Sequence, residues 1–269
     1  MKKNNHFTKI NYLFLLILLF TSCGPNETGI EETGPRTADD VRKDFENLTI
    51  TPGINDITLE TTTENVFWKF RIVAPDNASS TNKRPLILSL HGGARNVLPD
   101  AHKSSSCILS SGFDAFDAYV ISPNSNGQLW FDQSNQAQVL ALVDLASSYL
   151  HIDTTKIGIT GFSDGGNGSW FFTQFFPSIF SAGIPIATSY NTADGNGIVN
   201  KIDVPLYVIH GSDDELFPIA TTETFVNASI AAGSDIEFIT ASGLSHFSSC
   251  SEYLTYLQDA ADWLDTIWN

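Results

Sequence analysis

The sequence predicts an α/β fold, a mostly parallel central sheet with helices on both faces. Three observations point there. From Pro85 onward, short apolar runs of strand length alternate with longer stretches of helical periodicity. The runs are continuously apolar rather than alternating, the pattern of strands covered on both faces. Finally, Gly161-Phe162-Ser163-Asp164-Gly165 stands where one such run meets a helical stretch. A serine on so sharp a strand-to-helix turn is held at the top of a sheet, and the flanking glycines remove side chains that would clash there.

The elements follow in order. Residues 56–75 alternate as one or two strands, and Pro85–Leu90 and Ala118–Ser122 read as compact apolar strands. Gln136–Leu150 is helical, with Val139, Leu142, Val143, Ala146, Tyr149 and Leu150 spaced to face a core. Lys156–Thr160 is the strand before Ser163, and Gly166–Phe176 is the helix after it, ended by Pro177. Ser181–Ala187 reads as a strand against the signal of Pro185. Val204–His210 is a strand, Thr221–Ala232 a helix, Ile236–Thr240 the last strand and Glu252–Trp268 a closing amphipathic helix. A chain of 269 residues, 42% of them hydrophobic, suits one large α/β domain, expected over residues 46–269. The formal net charge of −16 argues against nucleic acid as a partner, since a phosphate backbone would be repelled.

The N-terminus reads as a targeting segment. Lys2, Lys3 and Lys9 accompany the apolar run Tyr12–Phe20, which is too short to span a bilayer. Phe20-Thr21-Ser22-Cys23-Gly24 then resembles a bacterial lipoprotein signal, differing at Phe20, where an aliphatic residue is usual. The resemblance implies removal of residues 1–22 and lipid attachment to Cys23. Residues 23–45, with Glu27, Glu31 and Glu32, read as a flexible acidic tether, similar to the surface-export tethers of some Gram-negative lipoproteins. The implied location is the cell envelope, as an outer-membrane lipoprotein facing either the periplasm or the outside, which touches the membrane through its lipid only. The other two cysteines, Cys107 and Cys250, are expected to pair in an exported protein; two separate buried thiols are the alternative.

A serine hydroxyl becomes a nucleophile only beside a base, and the base needs an orienting acid. On a sheet with this elbow the chain order is serine, acid, histidine. Of six histidines, only His246 follows both Ser163 and a suitable carboxylate on a post-strand loop. His210-Gly-Ser-Asp213-Asp214-Glu215-Leu-Phe-Pro218 resembles the H-G-x-x-D-x-x-x-P segment of α/β-hydrolase esterases and peptidases, which selects Asp214 as the acid. Asp213 and Glu215 are the competitors. The oxyanion hole is expected from the N–H of Asp164 and from the loop His91-Gly92-Gly93-Ala94, with Gly93 the donor and Ala94 the alternative. His91 itself is expected to be structural.

Together, Leu90–Gly93, Ser122–Asn124, Trp130–Asp132, Ile152-Asp153, Gly161–Gly166, His210-Gly211 with Asp214, and His246 resemble the α/β-hydrolase superfamily. The nearer likeness is to secreted esterases of the polyhydroxybutyrate-depolymerase and feruloyl-esterase type, in carbohydrate esterase family one. Asp164 departs from that group, where Asn is more common. The resemblance implies a serine carboxylic-ester hydrolase without a metal or other cofactor, acting on acyl esters of plant polysaccharide or on a polyester. It also implies a role for Trp130 in the substrate pocket, with core packing as the alternative. Residues 124–132 and 188–200 are expected to wall that pocket. A serine peptidase of the same fold and a non-catalytic binding protein are the other readings.

Overall fold

The computed structural model describes residues 34–104 and 116–269. The expected signal, Cys23 and Cys107 lie outside the described residues. Pro35–Asn269 form one compact unit.

Strands β1 (Gly53–Glu60) and β2 (Phe67–Ala74) form an antiparallel hairpin, and β2 pairs antiparallel with β4 (Tyr119–Pro123). The remaining strands are β3 (Arg84–Leu90), β5 (Ile152–Phe162), β6 (Ala182–Ile186), β7 (Leu206–Gly211) and β8 (Ile236–Ala241). They run parallel to β4 and to one another in the order β1-β2-β4-β3-β5-β6-β7-β8. The mostly parallel sheet expected from the continuous apolar runs is therefore present. In β3, Leu86, Leu88 and Leu90 join one core and Ile87 the other, so the period-2 pleat feeds two cores from one apolar run interrupted only by Ser89.

Helices α1 (Ala38–Glu46), α3 (Gln133–Tyr149), α4 (Asp164–Phe175) and α5 (Ile219–Ala231) bring their buried residues to one face of the sheet. There Val139, Leu142 and Phe172 meet the β3 and β5 leucines and isoleucines, and Val226 meets Leu206 and Val208. On the other face α6 (Leu254–Trp268) lays Leu257, Ala260 and Leu264 against Tyr207 and Ile209. A single turn, α2 (Ala101–Ser104), follows β3. No helix among the described residues is long and apolar enough to cross a membrane.

Pro185 does not exclude β6 from the sheet interior. The Gly183 N–H donates to Pro205 O at 3.1 Å and the Ala187 N–H to Ile209 O at 2.9 Å. Pro185, between them, has no N–H to give, so the β6–β7 ladder skips one rung while the β5 side stays paired.

The tether expected over residues 23–45 ends earlier than its composition suggests. Thr37 and Asp40 form a capping box that starts α1. Val41 and Phe45 are buried, and Phe45 packs against Phe70 and Tyr149 with ring centroids 6.4 and 6.2 Å apart. Arg36 donates to the carbonyls of Glu60 and Thr61. One amphipathic turn pair with two large apolar anchors outweighs the polar surroundings. Cys250 is disulfide-bonded.

Candidate active site

Ser163 ends β5 and opens α4 with φ 56° and ψ −120°, a conformation L residues rarely adopt. The adjoining glycines allow the turn to close. A Cβ on Gly161 would lie 2.2 Å from Gly165 O, and one on Gly165 would lie 2.0 Å from Leu90 O. Any larger residue would push α4 off the strands beneath it, so the spacing of the two glycines is a packing requirement.

His246 stands on the loop between β8 and α6. Its Nε2 is 3.0 Å from Ser163 Oγ and its Nδ1 is 2.9 Å from Asp214 Oδ2. A carboxylate only accepts, so Nδ1 carries the hydrogen and Nε2 is left to accept from the serine hydroxyl. Asp214 follows β7, is buried, and its Oδ1 accepts from the N–H groups of Leu216 at 2.9 Å and Phe217 at 2.7 Å. The rings of Phe162, Phe217 and Phe247 surround the imidazole with centroids 5.2, 5.4 and 5.5 Å away. They confine it.

The competing carboxylates do other work. Asp213 accepts from the Ser212 hydroxyl at 2.8 Å. Glu215 Oε2 accepts from the backbone N–H of His246 at 3.0 Å and so anchors the histidine loop. Nothing in the sequence assigns that contact; only the adjacency of Glu215 to Asp214 marks the residue. His210 donates through Nε2 to Phe217 O at 2.7 Å, behind Asp214, and its burial pushes its proton affinity below the usual histidine range.

A cavity of about 360 Å³ opens over Ser163 and His246. Gly92 and Gly93 border it on one side, and Leu98, Ala101, Phe162 and Phe247 supply its apolar walls. Gly93 has φ 59°, and a Cβ there would lie 2.8 Å from Asn96 Nδ2. The alternative oxyanion donor is already engaged: the Ala94 N–H donates to Asp164 Oδ2 at 2.9 Å.

Trp130 does not line this cavity. It is fully buried, packs its Cβ over Gly168 and donates through Nε1 to His91 O at 2.9 Å. The expected walls at 124–132 and 188–200 are likewise not the cavity's. Asn124 donates to Leu98 O at 2.9 Å, Ser125 Oγ to Ala94 O at 2.6 Å, and Thr188 is buried against α4 through Asn167. These residues turn inward and brace the walls from beneath. His91 is structural, as expected: Nδ1–H donates to Gly92 O at 2.8 Å and Nε2 accepts from the Ser125 N–H at 3.0 Å. Among the described residues no cluster of His, Cys, Asp and Glu is arranged to hold a metal ion.

Fold and site together define an α/β-hydrolase, with a serine at a strand–helix elbow on the carboxyl ends of a parallel sheet. The chain belongs to the dienelactone hydrolase family, whose profile matches residues 122–263, more than half of it. A curated protein of Methylorubrum extorquens named "putative carboxymethylenebutenolidase" is 29% identical over 115 residues, which are 38% of this chain and 39% of that protein. Among solved structures, a thermostable esterase superposes with a TM-score of 0.65 at 20% identity, over 79% of this chain and 62% of its own. Thermogutta terrifontis esterase 2, phosphorylated by paraoxon, superposes with a TM-score of 0.64 at 17% identity, over 81% of this chain and 95% of its own. At these identities the superpositions show the fold. The chain thus spans well under two thirds of the curated relative it matches.

Proposed function

We propose that this hydrolase is a serine carboxylic-ester hydrolase working through Ser163, His246 and Asp214. The observation that carries it is the unbroken hydrogen-bonded chain from Ser163 Oγ through both ring nitrogens of His246 to Asp214, opening on a cavity. Ser163 Oγ attacks the ester carbonyl carbon while its proton passes to His246 Nε2, and Asp214 steadies the imidazolium. The N–H groups of Gly93 and Asp164 receive the oxyanion. The tetrahedral intermediate collapses as His246 returns the proton to the leaving alcohol, and water repeats the sequence on the acyl-enzyme.

The substrate in this scheme is a neutral ester with an apolar acyl group. Leu98, Ala101, Phe162 and Phe247 wall the cavity, and among the described residues no charged one lines it. A carboxymethylenebutenolide carries a carboxylate, whose burial without a cation is costly. Feruloyl or acetyl esters of plant polysaccharide, or a polyester, suit the wall better and agree with the sequence resemblance to secreted depolymerases and feruloyl esterases. Lipid on Cys23 and the acidic residues that follow it would hold the enzyme at the outer face of a Gram-negative envelope, beside polymer being degraded.

The test is hydrolysis of p-nitrophenyl acetate, methyl ferulate, acetylated xylan, a carboxymethylenebutenolide and a dipeptide anilide, each against Ser163→Ala. Turnover of the neutral esters, abolished by alanine, is expected. Preference for the anilide would make the chain a peptidase, and preference for the butenolide would overturn the neutral-acyl reading. A folded protein with no turnover on any member would leave a binding protein.

A further inference from the structure

Asp164 has a second task that its place after the nucleophile does not explain. Its carboxylate reaches across from the start of α4 to the loop after β3, where Oδ2 accepts from the Ala94 N–H at 2.9 Å. The same peptide neighbourhood is held from the other side, since Ser125 Oγ donates to Ala94 O at 2.6 Å. The Asn96 N–H closes a turn onto Gly93 O at 2.9 Å. The peptides after Gly93 are thereby fixed, and Gly93 is left at φ 59° beside Ser163, on the border of the cavity.

The geometry points to Asp164 as a positioning residue that aims the Gly93 N–H at the oxyanion through its carboxylate, while its own N–H serves as the other donor. This deepens the serine-esterase mechanism above and rests on it. The physical case has two parts. An oxyanion hole works only if its donors are aimed before charge develops, so a loop with a left-handed glycine needs external ties. And a carboxylate near a developing oxyanion repels it, so its net benefit must come through the hydrogen bond it accepts rather than through its charge. That separates the positioning role from a plain acid at a helix start, which would act through charge alone.

The experiment measures kcat and KM for p-nitrophenyl butyrate, the rate of inactivation by paraoxon, and the thermal midpoint. It uses the wild type, Asp164→Ala, Asp164→Asn, Asp164→Glu and Ser163→Ala. Asp164→Ala is expected to lower kcat and the inactivation rate by about 10- to 100-fold with KM changed less than about threefold, a fraction of the loss of a whole oxyanion donor. Asp164→Asn keeps an acceptor oxygen at the same reach and should recover most of that loss. Asp164→Glu keeps the charge and displaces the acceptor, so its kcat should fall about tenfold or more. Glu at wild-type rate, or Asn as poor as Ala, would overturn the positioning role and leave only the charge at the helix start. If Asp164→Ala does not fold, the Asn and Glu variants decide alone. A Ser163→Ala protein as active as the wild type would instead sink the serine mechanism itself, whatever the Asp164 variants do.

Discussion

Two histidines beside Ser163 make opposite use of the same ring. His91 is fully buried, and both of its nitrogens are bonded to backbone groups, the Gly92 carbonyl and the Ser125 N–H. His246 is nearly as buried, but its nitrogens meet two side chains, Asp214 and Ser163, and it borders the cavity. Peptide groups neither gain nor lose a net proton at neutral pH, so the first ring is a strut. A hydroxyl and a carboxylate can share and stabilise a moving proton, so the second ring can act as a base. Burial alone does not separate the two; the partners do.

The sharpest way to break this contrast is to remove a neighbour of each histidine. Ser163→Ala should lower kcat/KM on a p-nitrophenyl ester on the order of 10⁵-fold with little change in thermal midpoint. Asp214→Asn should cost about 10⁴-fold in kcat, because an amide donating to Nδ1 favours the wrong tautomer. On the His91 side, Trp130→Ala should destabilise the fold by about 3–5 kcal/mol in a urea titration, since it empties a buried site and strips the donor from His91 O. If Trp130→Ala spared stability and raised KM instead, Trp130 would belong to the pocket after all.

A weaker effect is carried by pH. Burial holds the proton affinities of His91, His210 and His102 below the ordinary histidine value of 6.5. The unfolded chain therefore binds protons that the fold refuses. The stabilisation is complete above pH 6.5 and is lost as pH falls through that value toward the depressed folded values, by about 1.4 kcal/mol for each unit of depression. Urea midpoints between pH 7.5 and 5 should decline, and His91→Gln should flatten the decline. A wild-type curve without slope below pH 6.5 would contradict the buried, neutral state of these rings. The smallest expected effect is that of Glu215→Gln, which keeps an acceptor for the His246 N–H but weakens it, and should lower kcat by less than about tenfold.

The reach of the sequence differs between parts of the molecule. The parallel sheet was legible because a strand covered on both faces must be apolar at nearly every position, as Leu86, Ile87, Leu88 and Leu90 in β3 and Leu206, Val208 and Ile209 in β7 are. The Ser163 elbow and the chain order of the candidate triad were legible because a tight turn demands glycines at set spacings. Helix α1 was hidden, since its two anchors, Val41 and Phe45, sit among charged residues in a stretch whose composition reads as linker. The sequence by itself determined the local features: element types, the elbow, and which residues stand on post-strand loops. Only the tertiary structure decided what Trp130, Asp164 and Glu215 do, because each acts on a group far along the chain, 39, 70 and 31 residues away. Local periodicity reports which face a residue presents; the partner it meets there is set by how the strands and helices pack across the sheet.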